Sequence, residues 1–200
     1  MFPLGSVLFP SLVLPLHVFE PRYRALVRDV LDGDGEFGVC LIERGAEVGG
    51  DDVRTAVGTV ARVHEAEELP DGRWAVVAVG VRRIRVARWL ADDPYPRAEV
   101  EDLPDPDPSA AEVALLADVV ARLREALARS AELGDTTTPA TVELAADPVL
   151  ASHQASALAP IATIDQHALL AAETVGLRLA RLDDLLADAI ELLELRLRAD

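Results

Sequence analysis

Three prolines within the first fifteen residues constrain this chain more than any other feature. Residues 1–31 read MFPLGSVLFPSLVLPLHVFEPRYRALVRDVL, and no charged side chain appears before Glu20. Pro3, Pro10 and Pro15 recur too closely for a helix to pass through. The segment is expected to form short extended pieces joined by tight bends and buried on at least one side. At Glu20-Pro21 the pattern changes. Pro21 suits a first helical turn, and Ala25, Leu26, Val30 and Leu31 recur at helical spacing. A helix is predicted over 21–31, with Gly33 and Gly35 ending it.

Strand-like runs dominate the rest of the first half. Phe37-Gly38-Val39-Cys40-Leu41-Ile42 reads as a buried strand, and a loop with Gly45, Gly49, Gly50, Asp51 and Asp52 follows. Residues 55–65 and 74–79 flank Pro70-Asp71-Gly72, an Asp-Gly hairpin signal. Residues 82–89 read as a separate strand, with Ile84 and Val86 on one face and Arg83 and Arg85 on the other. A further short strand is expected within 95–100. Many short strands with one early helix suggest a small curled or barrel-like sheet.

Composition changes at the midpoint. All eight aromatic residues (Phe2, Phe9, Phe19, Tyr23, Phe37, Trp74, Trp89, Tyr95) and ten of the twelve glycines precede residue 101. The remainder is rich in Ala and Leu, which favours helix. Leu103-Pro104-Asp105-Pro106-Asp107-Pro108-Ser109 forces an extended seam. The organisation expected is a β-rich subdomain over 1–103, a Pro-rich linker over 104–109 and a helical subdomain over 110–200. In the latter, Leu116, Val120, Leu123 and Leu127 form one stripe of a helix over 110–131, closed by Gly134. Residues 135–146, with Thr136, Thr137, Thr138 and Pro139, are ambiguous. Asp147-Pro148 starts a second helix, which Pro160 stops. Thr163 and Gln166 have capping-box spacing for a third. Val175, Leu179, Leu182, Leu186, Ala189, Leu193 and Leu197 give the last helix a heptad-like stripe. Leu177, Leu185 and Leu192 widen its apolar face, as expected in a packed bundle.

The strings Val7-Leu8-Phe9-Pro10, Leu14-Pro15-Leu16 and Val18-Phe19-Glu20-Pro21-Arg22-Tyr23-Arg24 closely resemble the opening of the Lon protease N-terminal (substrate-binding) domain. Gly58-Thr59-Val60-Ala61, Leu69-Pro70-Asp71-Gly72-Arg73, Gly80-Val81-Arg82-Arg83-Ile84 and Pro94-Tyr95 continue the resemblance in order. Asp147-Pro148-Val149-Leu150-Ala151-Ser152 and Asp165-Gln166-His167-Ala168-Leu169-Leu170 extend it into the second half. Stand-alone bacterial proteins carry this domain, and cereblon contains a relative. The resemblance implies an α+β fold: a PUA-like β pseudo-barrel with one early helix, followed by a C-terminal helical bundle. It also implies that Phe9, Pro10, Pro15, Phe19, Glu20, Pro21, Arg22 and Tyr23 are family-motif residues with a structural role. For Glu20, Arg22, Tyr23 and Arg24 two readings stand, a ligand-contacting corner or a cap and ion pair that docks the helix on the sheet.

The totals exclude several functions. A net charge of −16 disfavours nucleic acid and anionic membrane surfaces. Cys40 is the single cysteine, so no disulfide framework exists. The first nineteen residues lack a positive n-region and a cleavage motif, and prolines cut their apolar run; a cytoplasmic location is expected. No lysine occurs in the 200 residues. A P-loop requires one, and so does the Ser–Lys dyad by which Lon proteases cut peptides. His17, His64, His153 and His167 show no zinc-ligand spacing. Ser6, Ser11, Ser109, Ser130, Ser152 and Ser156 lie in no GxSxG motif. No metal, cofactor or catalytic residue is expected, and the chain reads as non-enzymatic.

The function expected from this reading is a module that binds unfolded or extended polypeptide segments, by side-chain pockets or by strand addition in a groove. The meeting place of the two halves is one site for such a groove. Trp74, Trp89 and Tyr95 are candidate contacts because aromatic side chains anchor interfaces; core packing is the alternative for each. An adaptor for one folded partner, such as a separate Lon-type protease, is a second reading, and a hydrolase with an unrecognised site a third. The apolar N-terminal stretch and the final heptads are each compatible with self-association.

Overall fold

The computed structural model describes residues 1–45, 52–135 and 138–199. They divide into two compact units, Met1–Pro104 and Asp105–Asp200. Unit 1 holds β1 (Phe2–Leu4), β2 (Val13–Val18), α1 (Pro21–Asp32), β3 (Glu36–Arg44), β4 (Val53–Glu68), β5 (Trp74–Trp89) and β6 (Ala98–Asp102). Unit 2 holds α2 (Ala110–Glu132), α3 (Pro148–Leu158), α4 (Thr163–Leu170) and α5 (Val175–Ala199). The chain is α+β, with a curled mixed sheet forming a half-barrel ahead of the helices.

The long β4–β5 hairpin is the spine of the sheet. Its turn is the predicted one: Leu69 N donates to the Arg73 carbonyl (2.7 Å), and Gly72 takes a φ of 77°, which a side chain would strain. The strand order is β1-β3-β4-β5-β2, and β6 also pairs with β5. Among the described residues, only β1 and β3 run parallel. Bulges interrupt the β4–β5 register between Val60/Ala61 and Val63/Glu65, and the β5–β6 register between Val86/Arg88. Bulges of this kind bend long strands, and here they let 16-residue strands curl. Tyr23, Leu26, Val27 and Val30 of α1 join Phe2, Phe37, Val39, Val76 and Ala78 in one core.

One expectation needs correction here. Residues 74–79 and 82–89 are one continuous strand, not two. Gly80 lies within it because the N-terminal loop crosses at contact distance: a Cβ there would stand 2.3 Å from the Phe9 carbonyl oxygen. Arg83 and Ile84, expected on opposite faces of the strand, are both buried, at 1 % and 0 % exposure. The curl covers both faces of β5 at this point. Most of the glycine loop after β3 lies outside the described residues.

In unit 2, Ser109 and Glu112 form a reciprocal capping box at the start of α2. Gly134, with φ 74°, ends the helix. The buried face of α2 is Val119, Leu123, Ala126, Leu127 and Ser130. It is turned from the predicted stripe, so Leu116 and Val120 are only half-buried. Asp147 caps α3 as expected, its Oδ1 accepting from Leu150 N at 2.8 Å. Thr163 does not cap α4: it is the first helical residue, and Ala162 holds the cap position without a side-chain bond. In α5, Val175, Leu179, Leu182, Leu186 and Leu193 are buried, and α2 packs along this helix. Leu177 and Leu192, expected in a broad buried face, are 58 % and 60 % exposed.

A buried charge cluster ties unit 2 together. The Arg178 guanidinium, 0 % exposed, donates to Asp105 Oδ1 (2.6 Å), Ser152 Oγ (2.8 Å) and the Leu169 carbonyl (3.1 Å). His153 Nε2 lies 3.0 Å from the other Asp105 oxygen. One carboxylate before α2 thus bonds α3 and α5, and Arg178 carries the link on to α4.

Candidate functional site

β1 and β2 lie at opposite ends of the strand order, and the curl brings both to one recess in unit 1. Phe2 and Leu4 of β1 line it with Pro15, Leu16, His17 and Val18 of β2, then Phe19, Glu20 and Tyr23. Its volume is about 180 Å³. The Tyr23 ring stacks on Phe2 with centroids 4.2 Å apart, so α1 is pinned to β1 beside the recess. Burial, foremost, pushes the Tyr23 phenol up to about 12. Glu20 occupies the N-cap of α1 but makes no capping bond; its carboxylate accepts from Arg22 Nε at 3.1 Å. Arg22 also lies 4.5 Å over the Tyr23 ring. Phe19, where the chain leaves β2, is 52 % exposed, and Val13 at the other end of β2 is 64 % exposed.

The outer edge of β2 has a definite hydrogen-bonding character. Gly80 N donates to the Leu12 carbonyl at 2.9 Å, turning Leu12 towards β5. Alternation from Leu12 turns the backbone of Leu14, Leu16 and Val18 inward and that of Val13, Pro15 and His17 outward. Pro15 lacks the N–H that an added strand would use. A proline on an exposed edge opposes strand addition.

A second recess, of about 460 Å³, opens beside α1. Leu26, Val30, Phe37, Ile84 and Val100 make its apolar lining. Several of its charged groups are paired. Glu36 binds Arg82 and Arg62, both at 2.6 Å, and the Arg82 hydrogen bond foremost holds its carboxyl below the usual range. The Tyr95 hydroxyl donates to Asp29 at 2.6 Å.

The three aromatic candidates are not brought together. Trp74 is 9 % exposed in the core. Trp89 is half-buried with Arg54 5.1 Å over its ring, and it lines neither recess. Tyr95 lines the second recess. Of the motif residues, Pro15, Phe19, Glu20 and Tyr23 meet at the first recess. Phe9 and Pro10 are buried, and Pro21 opens α1. Sequence reasoning did not single out Phe2, Leu4, Leu16 and Val18 as walls. Alternation puts Leu14, Leu16 and Val18 on one face of β2, but no local pattern tells that β1 meets that strand.

Cys40 is buried in β3, and desolvation foremost pushes its thiol up to about 12. Since the thiolate is the reactive form, iodoacetamide at pH 8 is expected to leave Cys40 unmodified in the folded chain and to alkylate it in urea. Mass spectrometry reads this directly, and rapid native alkylation would contradict the burial.

The profile of the ATP-dependent protease La (LON) substrate-binding domain matches residues 1–188. This chain belongs to that family. It is 31 % identical over 195 residues to Lon protease 2 of Herpetosiphon aurantiacus, and 30 % identical over 195 residues to a Lon protease of Koribacter versatilis. Each alignment covers 96 % of this chain but 24 % of the relative, so the chain spans about a quarter of the length of the curated relatives it matches. The crystal structure of a Lon N-terminal domain protein from Xanthomonas campestris aligns with a TM-score of 0.58 at 26 % identity, covering 90 % of this chain and 94 % of that one. The N-terminal domain of the Mycobacterium avium complex Lon protease shares the fold, with a TM-score of 0.66 at 19 % identity, covering 93 % and 97 %. Of the motif residues, Phe9 and Tyr23 are buried, whereas Phe19 is half exposed. No helix among the described residues is long and apolar enough to cross a membrane.

Proposed function

We propose that the chain is a non-catalytic module that binds unfolded or extended polypeptide, and that unit 1 captures apolar side chains of that polypeptide in the recess between β1 and β2. The observation that carries this reading is Phe19. Its ring, 52 % exposed at the lip of a recess walled by Phe2, Leu4, Leu16 and Val18, extends that apolar lining out to solvent, where a side chain of a ligand can meet it. Val13 extends the exposed apolar strip along the same strand. The outward-facing Pro15 favours side-chain capture over strand addition, because an incoming strand would meet a missing donor. Membership of a substrate-binding family supports polypeptide as the ligand class. A Lon-type protease acting on the captured chain, in the cytoplasm, is part of the same proposal.

Fluorescence anisotropy with a labelled, permanently unfolded polypeptide tests it, with the same polypeptide in folded form alongside. Saturable binding of the unfolded form alone is expected. Phe19→Asp is expected to weaken that binding about tenfold or more, the loss of one interface anchor. Its thermal midpoint should stay close to that of the parent, because an exposed side chain contributes little to folding. Failure to bind either form would refute general capture and point to a single folded partner. Undiminished binding by Phe19→Asp would remove the recess from the proposal.

A further inference from the structure

Unit 2 has a groove of its own, independent of the recess in unit 1. Leu185, Asp188, Ala189 and Leu192 fall at i, i+3, i+4 and i+7 of α5 and form one wall. Leu158 at the end of α3 and Ile161 just beyond it form the other. The groove encloses about 600 Å³. From Leu185 to Arg196, which also lines it, the α5 wall runs about 16 Å, three helical turns.

Chemistry selects what fits there. The α5 wall bonds its backbone groups within the helix, so it offers no edge to an extended chain. An occupant buried against it must satisfy its own backbone, which a helix does. Leu192, 60 % exposed, offers an apolar contact in the middle of the wall. The charges are one-sided. Asp188 lines the groove without an ion pair among the described residues. Asp165 on the facing side reaches Arg181 only at 3.6 Å, and Asp135 at the far end holds Arg196 at 2.5 Å. Residues 105–200 carry seventeen acidic residues against seven arginines, a net charge of −10 with His neutral. A second copy would bring the same negative charge and is disfavoured.

We infer that this groove docks a cationic amphipathic helix from another protein, with apolar residues at i, i+3 or i+4, and i+7 and Lys or Arg on the flanks. The test uses the full chain and a labelled peptide of about 18 residues, long enough to form helix on docking. The peptide places Leu at those positions and Lys elsewhere. One control replaces every Lys by Glu, and another keeps the composition but scrambles the Leu positions. Saturable binding of the first peptide alone is expected. Ala189→Trp, which fills the groove and leaves the net charge at −16, should weaken binding about tenfold or more. If Ala189→Trp disturbs folding by circular dichroism, Leu192→Ser at an exposed position takes its place, with the same loss expected. No saturable binding, equal binding of the scrambled peptide, or affinity unchanged by a folded groove variant would each overturn the inference. The last two would reduce the effect to unspecific attraction by an acidic protein.

Discussion

Asp105→Ala is expected to destabilise unit 2 by about 3–5 kcal/mol, the range for removing one partner of a buried ion pair. Arg178 has no exposure to solvent, and Asp105 is the carboxylate that answers its charge. Without it the guanidinium keeps Ser152 Oγ and the Leu169 carbonyl, which are neutral acceptors. Asp105→Asn separates the two parts of the effect. It preserves shape and an acceptor but removes the charge, and most of the loss is expected to remain. Urea unfolding followed by circular dichroism measures both variants. A change below about 1 kcal/mol, the size of an exposed pair, would show that the cluster is not held as described.

The same carboxylate sets a pH dependence. Burial alone would raise its pKa, but hydrogen bonds from His153 and Arg178 overcome that and hold it well below the usual carboxylate range. Its contribution to stability is therefore fully present above the unfolded-chain value of about 3.9. It fades as pH falls through the lower folded value. Parent and Asp105→Asn should accordingly differ most at neutral pH and converge in strong acid. A gap that widened on acidification would contradict the sign.

Gly80→Val should be among the most damaging single changes in unit 1, costing about 3–5 kcal/mol, because burial of Phe9 depends on this position. Ser11 N donates to the Gly80 carbonyl at 2.8 Å, and Gly80 N donates to Leu12 at 2.9 Å. With a Cβ only 2.3 Å from the Phe9 carbonyl, any side chain must push the loop off the strand. Phe9 is 0 % exposed, so the displaced loop would uncover an aromatic side chain. It would also shift β2, which starts just beyond the loop and lines the recess. Loss of both thermal stability and polypeptide binding is expected, measured by calorimetry and anisotropy. Near-parental stability would mean that the loop can dock on β5 without that close approach.

Much of the fold was legible because its signals are local. Prolines at 3, 10 and 15 forbid an early helix, and Glu20-Pro21 starts one. Asp71-Gly72 turns the hairpin, and Asp147-Pro148 caps α3 through a side chain three residues from its partner. Where local signals were ambiguous, the reading went astray. Gly80 looked like a strand boundary because a glycine breaks a local pattern, and the reason for it lies 71 residues away at Phe9. Thr163 had capping-box spacing, but spacing does not say whether the residue stands before the helix or inside it.

The candidate site was less legible than the fold. Aromatic type pointed to Trp74, which the core absorbs, whereas Phe19 stands exposed. Nothing in either side chain distinguishes them; what differs is which elements lie over them. The sequence alone carried the family resemblance, which implied a barrel-like sheet followed by helices; composition gave the acidic character and the absence of lysine, and neighbours within a few residues gave the individual strands, turns and helices. Tertiary structure alone decided that Asp105 is the counter-charge of Arg178, that Arg83 is buried, and that β1 and β2 share a recess. Each of these depends on residues brought together from distant parts of the chain by the curl of a sheet or the packing of helices, and no local pattern encodes such a meeting.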